Sequence, residues 1–196
     1  SLTGSKPEQY AQLLQQARAL LHGERDRIAN AANLSALVYN ALPDLNWAGF
    51  YFLRAGNELI VGPFQGKPAC VRISVGRGVC GTAAERRQSI LVEDVHAFPG
   101  HIACDAASRS ELVVPLIRDG KMLGVLDLDS PSPKSFDADD QAGIEEVAAI
   151  YVAASSLCTM PTSVWPGFSE PVTSAPSALS LTRAMNSRTT GSATSA

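Results

Sequence analysis

The chain has 196 residues, of which 45% are hydrophobic, and its 16 basic and 19 acidic residues give a net charge of -3. This composition indicates one folded domain with room for a tail, and it excludes a wholly disordered chain. Lys and Arg form no basic patch, and no apolar run is long enough to span a membrane. We therefore expect no nucleic-acid partner and no membrane partner. The first residues lack the features of a secretion signal, so a cytoplasmic protein is expected.

Two helices are predicted at the start of the chain, over residues 5–21 and 25–41. Ser5 and Glu8 have the spacing of a capping box, in which each residue satisfies a backbone amide of the first turn. Apolar residues then recur every three or four positions, as they do on the buried face of a helix. Pro43 ends the second helix.

Five or six strands and a short helix are predicted next. Strand-like runs bounded by turn residues cover 47–53, 58–64, 72–75, 89–92, 111–117 and 122–129, and a short helix covers 78–87. Asp119-Gly120 is a strong hairpin signal. Asp137 can cap a last helix that runs to about residue 157. These elements predict an α+β fold whose mostly antiparallel sheet carries helices on one face and a ligand pocket on the other.

The composition changes after Pro161. Between 161 and 196, 25 of 36 residues are Pro, Gly, Ser, Thr or Ala, and no helical or strand period survives. We predict a folded domain over 5–158 and a disordered tail over 161–196.

One glycine-rich motif, Gly76 to Gly81, has the GxGxxG pattern of dinucleotide-binding loops. The strand before it is not a continuous apolar run, and no repeated βαβ units surround it. A tight turn leading into a helix is the favoured interpretation.

Acidic and aromatic side chains are predicted on one face of the sheet. Asp127 and Asp129 point to the same side of their strand, which alone would suit a wet edge strand. The first strand argues against that interpretation, because Trp47 and Tyr51 make its second face apolar as well. A covered face with aromatics and carboxylates predicts a pocket for a cationic, partly apolar ligand.

The four cysteines are Cys70, Cys80, Cys104 and Cys158, and no CxxC motif is present. Cys104 lies near His96, His101 and Asp105, which leaves open a zinc cluster or a Cys–His nucleophile. The spacing matches no standard zinc site, so no metal is expected. We expect Cys158, in the last helix, to be a packing residue.

Four stretches together resemble the free methionine-(R)-sulfoxide reductases, a catalytic branch of the GAF-domain family. They are NWAGFYFL (46–53), GPFQGKPACVRISVGRGVCGTAA (62–84), DVHAFPGHIACDAASRSELVVPL (94–116) and GVLDLDS (124–130). The resemblance extends over about residues 8 to 157 and includes three cysteine contexts in order. It implies a six-stranded antiparallel sheet and reduction of the free, not the peptide-bound, sulfoxide.

The resemblance also implies roles for particular residues. Cys104 matches the nucleophile, Cys70 the resolving cysteine and Cys80 a third cysteine. The matching acids and aromatics of the site are Glu111, Asp127, Asp129, Trp47 and Tyr51. No cofactor is implied, and the partners would be free methionine-(R)-sulfoxide and a thioredoxin-like dithiol. A homodimer is left open.

The chemistry of sulfoxide reduction agrees with these residue types. A thiolate attacks the sulfoxide sulfur, and the oxygen leaves as water only after it is protonated, which requires a nearby carboxylic acid. Clustered acids raise one another's pKa, so one of them can keep its proton near neutral pH. A second thiol then converts the sulfenic acid to a disulfide. The rival prediction is a GAF module that senses a small molecule or redox state without turnover.

Overall fold

The computed structural model describes residues 2–102 and 105–155. Two helices, α1 (Lys6–Leu20) and α2 (Arg27–Ala41), precede a six-stranded sheet. Its strands are β1 (Trp47–Arg54), β2 (Glu58–Gly66), β3 (Arg72–Ser74), β4 (Ile90–Val92), β5 (Ser110–Arg118) and β6 (Lys121–Ser130). Helix α3 (Gly78–Arg86) lies between β3 and β4, and helix α4 (Ala138–Ala154) follows β6.

The strand order is β3-β2-β1-β6-β5-β4, and every neighbouring pair is antiparallel. The predicted α+β class and antiparallel sheet are confirmed. β6 lies inside the sheet between β1 and β5, so the edge-strand interpretation of its two aspartates is wrong. A strand that is paired on both sides has no backbone edge exposed to solvent.

Each face of the sheet carries its own hydrophobic core, as the alternation in β1 predicts. Ala48, Phe50 and Phe52 pack with α1, α2 and α4 on one face. Trp47 and Tyr51 belong to the core on the other face, which also includes α3. Three helices thus cover one side of the sheet, and α3 covers only part of the other.

Local capping explains where the helices begin. Ser5 and Glu8 form the predicted capping box of α1, and Asp137 caps α4 by accepting from the amides of Asp139 and Asp140. α4 ends at Ala154, before the predicted residue 157, because Ser155 already has an extended backbone. The predicted loop after β4 contains a short 3₁₀ helix, Val95–Ala97, whose first turn is capped by Asp94.

A register shift between β5 and β6 sets the geometry of the second face. Ile117 is paired with Met122, but Leu116 is paired with Gly124, so Leu123 is an extra residue on β6. From this bulge onward the pairing runs one residue further along β6, and Glu111 lies opposite Asp129. A strand bulge of this kind moves a set of side chains relative to its partner strand.

In the described ranges, no helix has both the length and the apolar character needed to cross a membrane. The predicted tail over 161–196 and the boundary at residue 158 lie outside the described residues.

Candidate active site

Three carboxyl groups lie side by side on the face of the sheet that α3 partly covers. Asp127 and Asp129 alternate on β6, and Glu111 of β5 is the direct cross-strand partner of Asp129. Glu111 is 6% exposed and Asp127 is 5% exposed, so neither is solvated like a surface acid. Cross-strand pairs of this type have Cβ atoms about 5 Å apart, so negative charges on the two carboxyl groups would repel each other strongly.

Burial raises the pKa of all three acids. The pKa values of Glu111 and Asp129 lie well above their usual range, first through desolvation and then through repulsion by Asp127. Desolvation raises the pKa of Asp127 to about 7, while interactions with Cys80 and Glu111 oppose the rise. Three negative charges cannot form together at this spacing in a buried site, so the cluster retains protons near neutral pH.

The buried free thiol of Cys80 adjoins these acids. Its Sγ lies 3.9 Å from Oε1 of Glu111, and burial raises the pKa of the thiol, so it is a neutral donor. Among the described residues, Cys80, Glu111 and Asp127 also form the one group of three whose ligand atoms lie within 4.8 Å of one another, close enough to hold a metal ion. A metal ion could bind there only if the cluster lost its protons.

The glycine-rich segment is a tight turn, as predicted, because it leads from β3 directly into α3. The amide of Gly76 donates to the carbonyl of Gly81 at 2.8 Å, and both Gly76 and Gly78 have positive φ angles. A Cβ on Gly81 would lie 2.3 Å from the carbonyl oxygen of Ser74. Glycine here lets α3 approach β3 closely, which places Cys80 over the acids.

An aromatic wall borders the acids on the β1 side. The ring of Trp47 stacks on Tyr51 at 5.7 Å and on Phe64 at 5.3 Å between centroids. Gly49 makes room for this stack, because a Cβ there would meet Phe64 at 2.3 Å and the Trp47 ring at 2.8 Å. The sequence analysis did not assign Phe64 and Gly49 to the site, although the aromatic residues of β1 and Phe64 in β2 were a usable signal.

Three buried polar atoms of cavity-lining residues have no partner among the described residues. They are Nε1 of Trp47, which is a donor, Oδ1 of Asp127, which is an acceptor, and Nδ1 of His101. Leaving buried polar atoms unpaired is costly, so their presence at one cavity indicates a place for a polar ligand.

The segment after β2 covers the mouth of the cavity. Pro68 and Ala69 line it, and the hydroxyl of Tyr51 donates to the carbonyl of Cys70 at 3.1 Å. Cys70 is in a disulfide bond, and its partner lies outside the described residues. Cys104, the predicted nucleophile, and Cys158 also lie outside them.

The two histidines that precede Cys104 in sequence lie in different environments. His101 lines the cavity, and burial lowers its pKa. His96 is exposed, and its backbone amide donates to Asp94. Neither histidine belongs to the three-residue ligand group found in the described part of the chain.

The cavity is small in this structure. It leaves about 40 Å³ for the centres of water molecules, which is room for about three waters. The structure brings to its lining six of the predicted site residues: Trp47, Tyr51, Cys80, Glu111, Asp127 and Asp129. The first turn of α3 also lines it, and an α-helix N-terminus favours negative charge.

Comparison with known proteins identifies the fold. The family model described as a GAF domain matches residues 29–154. The free methionine-R-sulfoxide reductase of Escherichia coli is 53% identical over 145 residues, which cover 74% of this chain and 87% of that protein. The chain belongs to the GAF-domain family.

Two solved structures extend the comparison. The free methionine-R-sulfoxide reductase of Neisseria meningitidis, in complex with its substrate, is 42% identical with a TM-score of 0.75 and covers 78% of this chain and 91% of that one. The Staphylococcus aureus protein, also with substrate, is 46% identical with a TM-score of 0.72 and covers 79% and 98%. Within the GAF-domain family, this chain is therefore a member of the free methionine-R-sulfoxide reductase family.

Proposed function

We propose that this protein reduces free L-methionine-(R)-sulfoxide to methionine, with Cys104 as nucleophile and Cys70 as resolving thiol. The observation that carries the proposal is the buried acid cluster of Glu111, Asp127 and Asp129, which faces an aromatic wall in one cavity. Both relatives solved with substrate are named for this activity.

The cavity has a partner for each part of the free amino acid. Asp127 has an unpaired buried oxygen, so its carboxylate would receive the substrate ammonium. The stacked rings of Trp47 and Tyr51 would receive the thioether and its methyl group. The first turn of α3, with Arg77 at its N-cap, would face the carboxylate. A peptide-bound methionine sulfoxide has neither a free ammonium group nor a free carboxylate.

The first chemical step needs a proton donor. The Cys104 thiolate attacks the sulfoxide sulfur while Glu111 gives one proton to the sulfoxide oxygen. The hydroxyl then moves to the Cys104 sulfur as the new S–S bond breaks and methionine leaves, so the sulfur of the protein is oxidised to a sulfenic acid and that of the substrate is reduced. Glu111 suits this role because burial and its acidic neighbours hold its pKa well above the usual range.

The second step regenerates the enzyme. The Cys70 thiol attacks the sulfenic acid, water leaves, and a Cys70–Cys104 disulfide forms. The disulfide at Cys70 in this structure supports the proposal that this thiol is redox-active. A thioredoxin-like dithiol would then reduce the disulfide, which suits a reducing compartment such as the cytoplasm.

Single-turnover stoichiometry tests these roles. Reduced protein mixed with excess free (R)-sulfoxide, without a reductant, should release about one methionine per chain. The variant Cys104→Ser should release none, and Cys70→Ser should release one but lose thioredoxin-linked turnover. Cys80→Ser is the matched control and should keep more of that turnover. Methionine release from Cys104→Ser at wild-type thermal stability would contradict the assignment.

A sensor without turnover is the second candidate, because GAF folds also serve as ligand-binding modules. The unpaired Trp47 and Asp127 atoms would serve binding alone equally well. The two functions differ in one observable: a sensor binds the sulfoxide and releases it unchanged.

A further inference from the structure

Two loops that must meet for the resolving step are joined by an ion pair. Lys67 lies three residues before Cys70, and Asp105 directly follows Cys104. Nζ of Lys67 lies 3.3 Å from Oδ2 of Asp105. The Tyr51 hydroxyl also ties this segment to the site, through the carbonyl of Cys70.

Asp105 also accepts hydrogen bonds from two other residues. Nδ2 of Asn46 donates to Oδ2 of Asp105 at 3.3 Å and to the hydroxyl of Ser108 at 3.0 Å. The backbone amide of Asn46 donates to the carbonyl of Asp129, so the chain of contacts ends on β6. The backbone amide of Ala107 also donates to Asp105. These donors and Lys67 lower the pKa of Asp105, which keeps it ionised.

The segment that carries Lys67 borders the cavity through Pro68 and Ala69. Because the cavity is small in this structure, we expect the segment to move aside when an amino acid enters. After methionine leaves, Cys70 has to return before the sulfenic acid is oxidised further. Any contact that favours the returned position raises the effective concentration of Cys70.

We propose that Lys67 is a positioning residue for the second chemical step, and that its ion pair with Asp105 holds the segment over residues 65–70 against the nucleophile loop. The inference rests on the proposed function. Lys67 is not among the described residues that line the cavity. Its side chain is 71% exposed and that of Asp105 is 17% exposed, so the contribution is that of a partly exposed ion pair and is sensitive to salt.

The test measures the two steps separately in single turnover. Lys67→Gln should release methionine at the wild-type rate but form the Cys70 disulfide about two- to five-fold more slowly, with more sulfenic acid trapped by dimedone. High salt should slow disulfide formation in the wild type and change it little in Lys67→Gln. Lys67→Arg should keep the wild-type rate, and Lys67→Glu should be slower than Lys67→Gln.

The matched control is Lys134→Gln. Lys134 forms an ion pair with Glu93 at 3.2 Å and is 74% exposed, but Glu93 lies 11 residues before Cys104 and the pair does not involve the segment over residues 65–70. It should leave both rates unchanged. Equal disulfide rates in Lys67→Gln and the wild type at low salt, with methionine still released, would overturn the inference. No methionine release from the wild type would instead overturn the proposed function.

Discussion

The Tyr51 hydroxyl donates a hydrogen bond to the Cys70 carbonyl oxygen at 3.1 Å, while the Tyr51 ring stacks on Trp47. One residue of the aromatic wall therefore also holds the segment that carries Cys70, the proposed resolving thiol. Its two functions can be separated, because the ring and the hydroxyl are different parts of the side chain.

Removal of the hydroxyl alone should affect the second step. Tyr51→Phe keeps the stacked ring and loses one hydrogen bond, whose net contribution is about 1 kcal/mol. We expect disulfide formation to slow by about five-fold, with KM for the sulfoxide near that of the wild type. Tyr51→Leu, which also loses the ring, should raise KM. A rise in KM in Tyr51→Phe with unchanged disulfide formation would contradict this separation.

Glu111→Gln should lose most of the first step. An amide cannot donate a proton to the leaving oxygen, and a positioned acid contributes about 10²- to 10⁴-fold. In the wild type, methionine release should slow as the pH rises through the raised pKa of Glu111, because the donor is then ionised. The measurement is single-turnover methionine release between pH 5 and 9. Glu58→Gln, at an exposed ion pair with Arg72, is the control. A wild-type rate and pH profile in Glu111→Gln would exclude Glu111 as the proton donor.

Asp127→Asn should stabilise the fold at high pH while weakening substrate binding. The pKa of Asp127 is raised to about 7 in the folded protein, so the native state binds more protons than the unfolded state between about pH 4 and 7. The stability from this group is present below the unfolded pKa and is lost as pH rises through 7. The Tm of wild type should thus fall from pH 5 to 8 more steeply than that of the variant.

The same substitution should raise KM for the sulfoxide, because an amide cannot pair with the ammonium. A steeper fall in Tm for the variant than for the wild type, or an unchanged KM, would count against this account of Asp127.

Gly49→Ala should damage both stability and the aromatic wall. The added Cβ would overlap the Phe64 backbone and the Trp47 ring, and overpacking of this kind costs about 1–3 kcal/mol. Urea denaturation should show the loss in the free energy of unfolding, and KM for the sulfoxide should rise as Trp47 is displaced. Wild-type stability together with wild-type KM would show that the aromatic wall accommodates the added Cβ without cost, which would contradict this prediction.

Local rules predicted much of the fold, and one tertiary detail of the site escaped them. The capping boxes at Ser5 and Asp137 and the two-residue period of β1 depend only on near neighbours in sequence. The pairing of Glu111 with Asp129 depends on the bulge at Leu123. Had the hairpin pairing of Ile117 with Met122 continued without a bulge, Glu111 would lie opposite Leu128 and face the other core.

The resemblance predicted roles for the cysteines that residue patterns alone could not predict. The spacing around Cys104 was compatible with several kinds of chemistry, and no local pattern linked Cys70 to Cys104. The contacts of Lys67 with Asp105 and of Tyr51 with Cys70 join residues far apart in sequence, so they appear only in the folded chain.

The central claim is reduction of the free (R)-sulfoxide, and substrate selectivity tests it most directly. Methionine release should be measured with one dithiol reductant for free (R)-sulfoxide, free (S)-sulfoxide and a peptide that contains the (R)-sulfoxide. We predict turnover of the free (R) form, and rates at least about a hundredfold lower for the other two, because a peptide leaves Asp127 unpaired and the (S) form misplaces the oxygen relative to Glu111. Equal rates for the free and the peptide-bound (R) forms, or turnover of none of the three, would contradict the account.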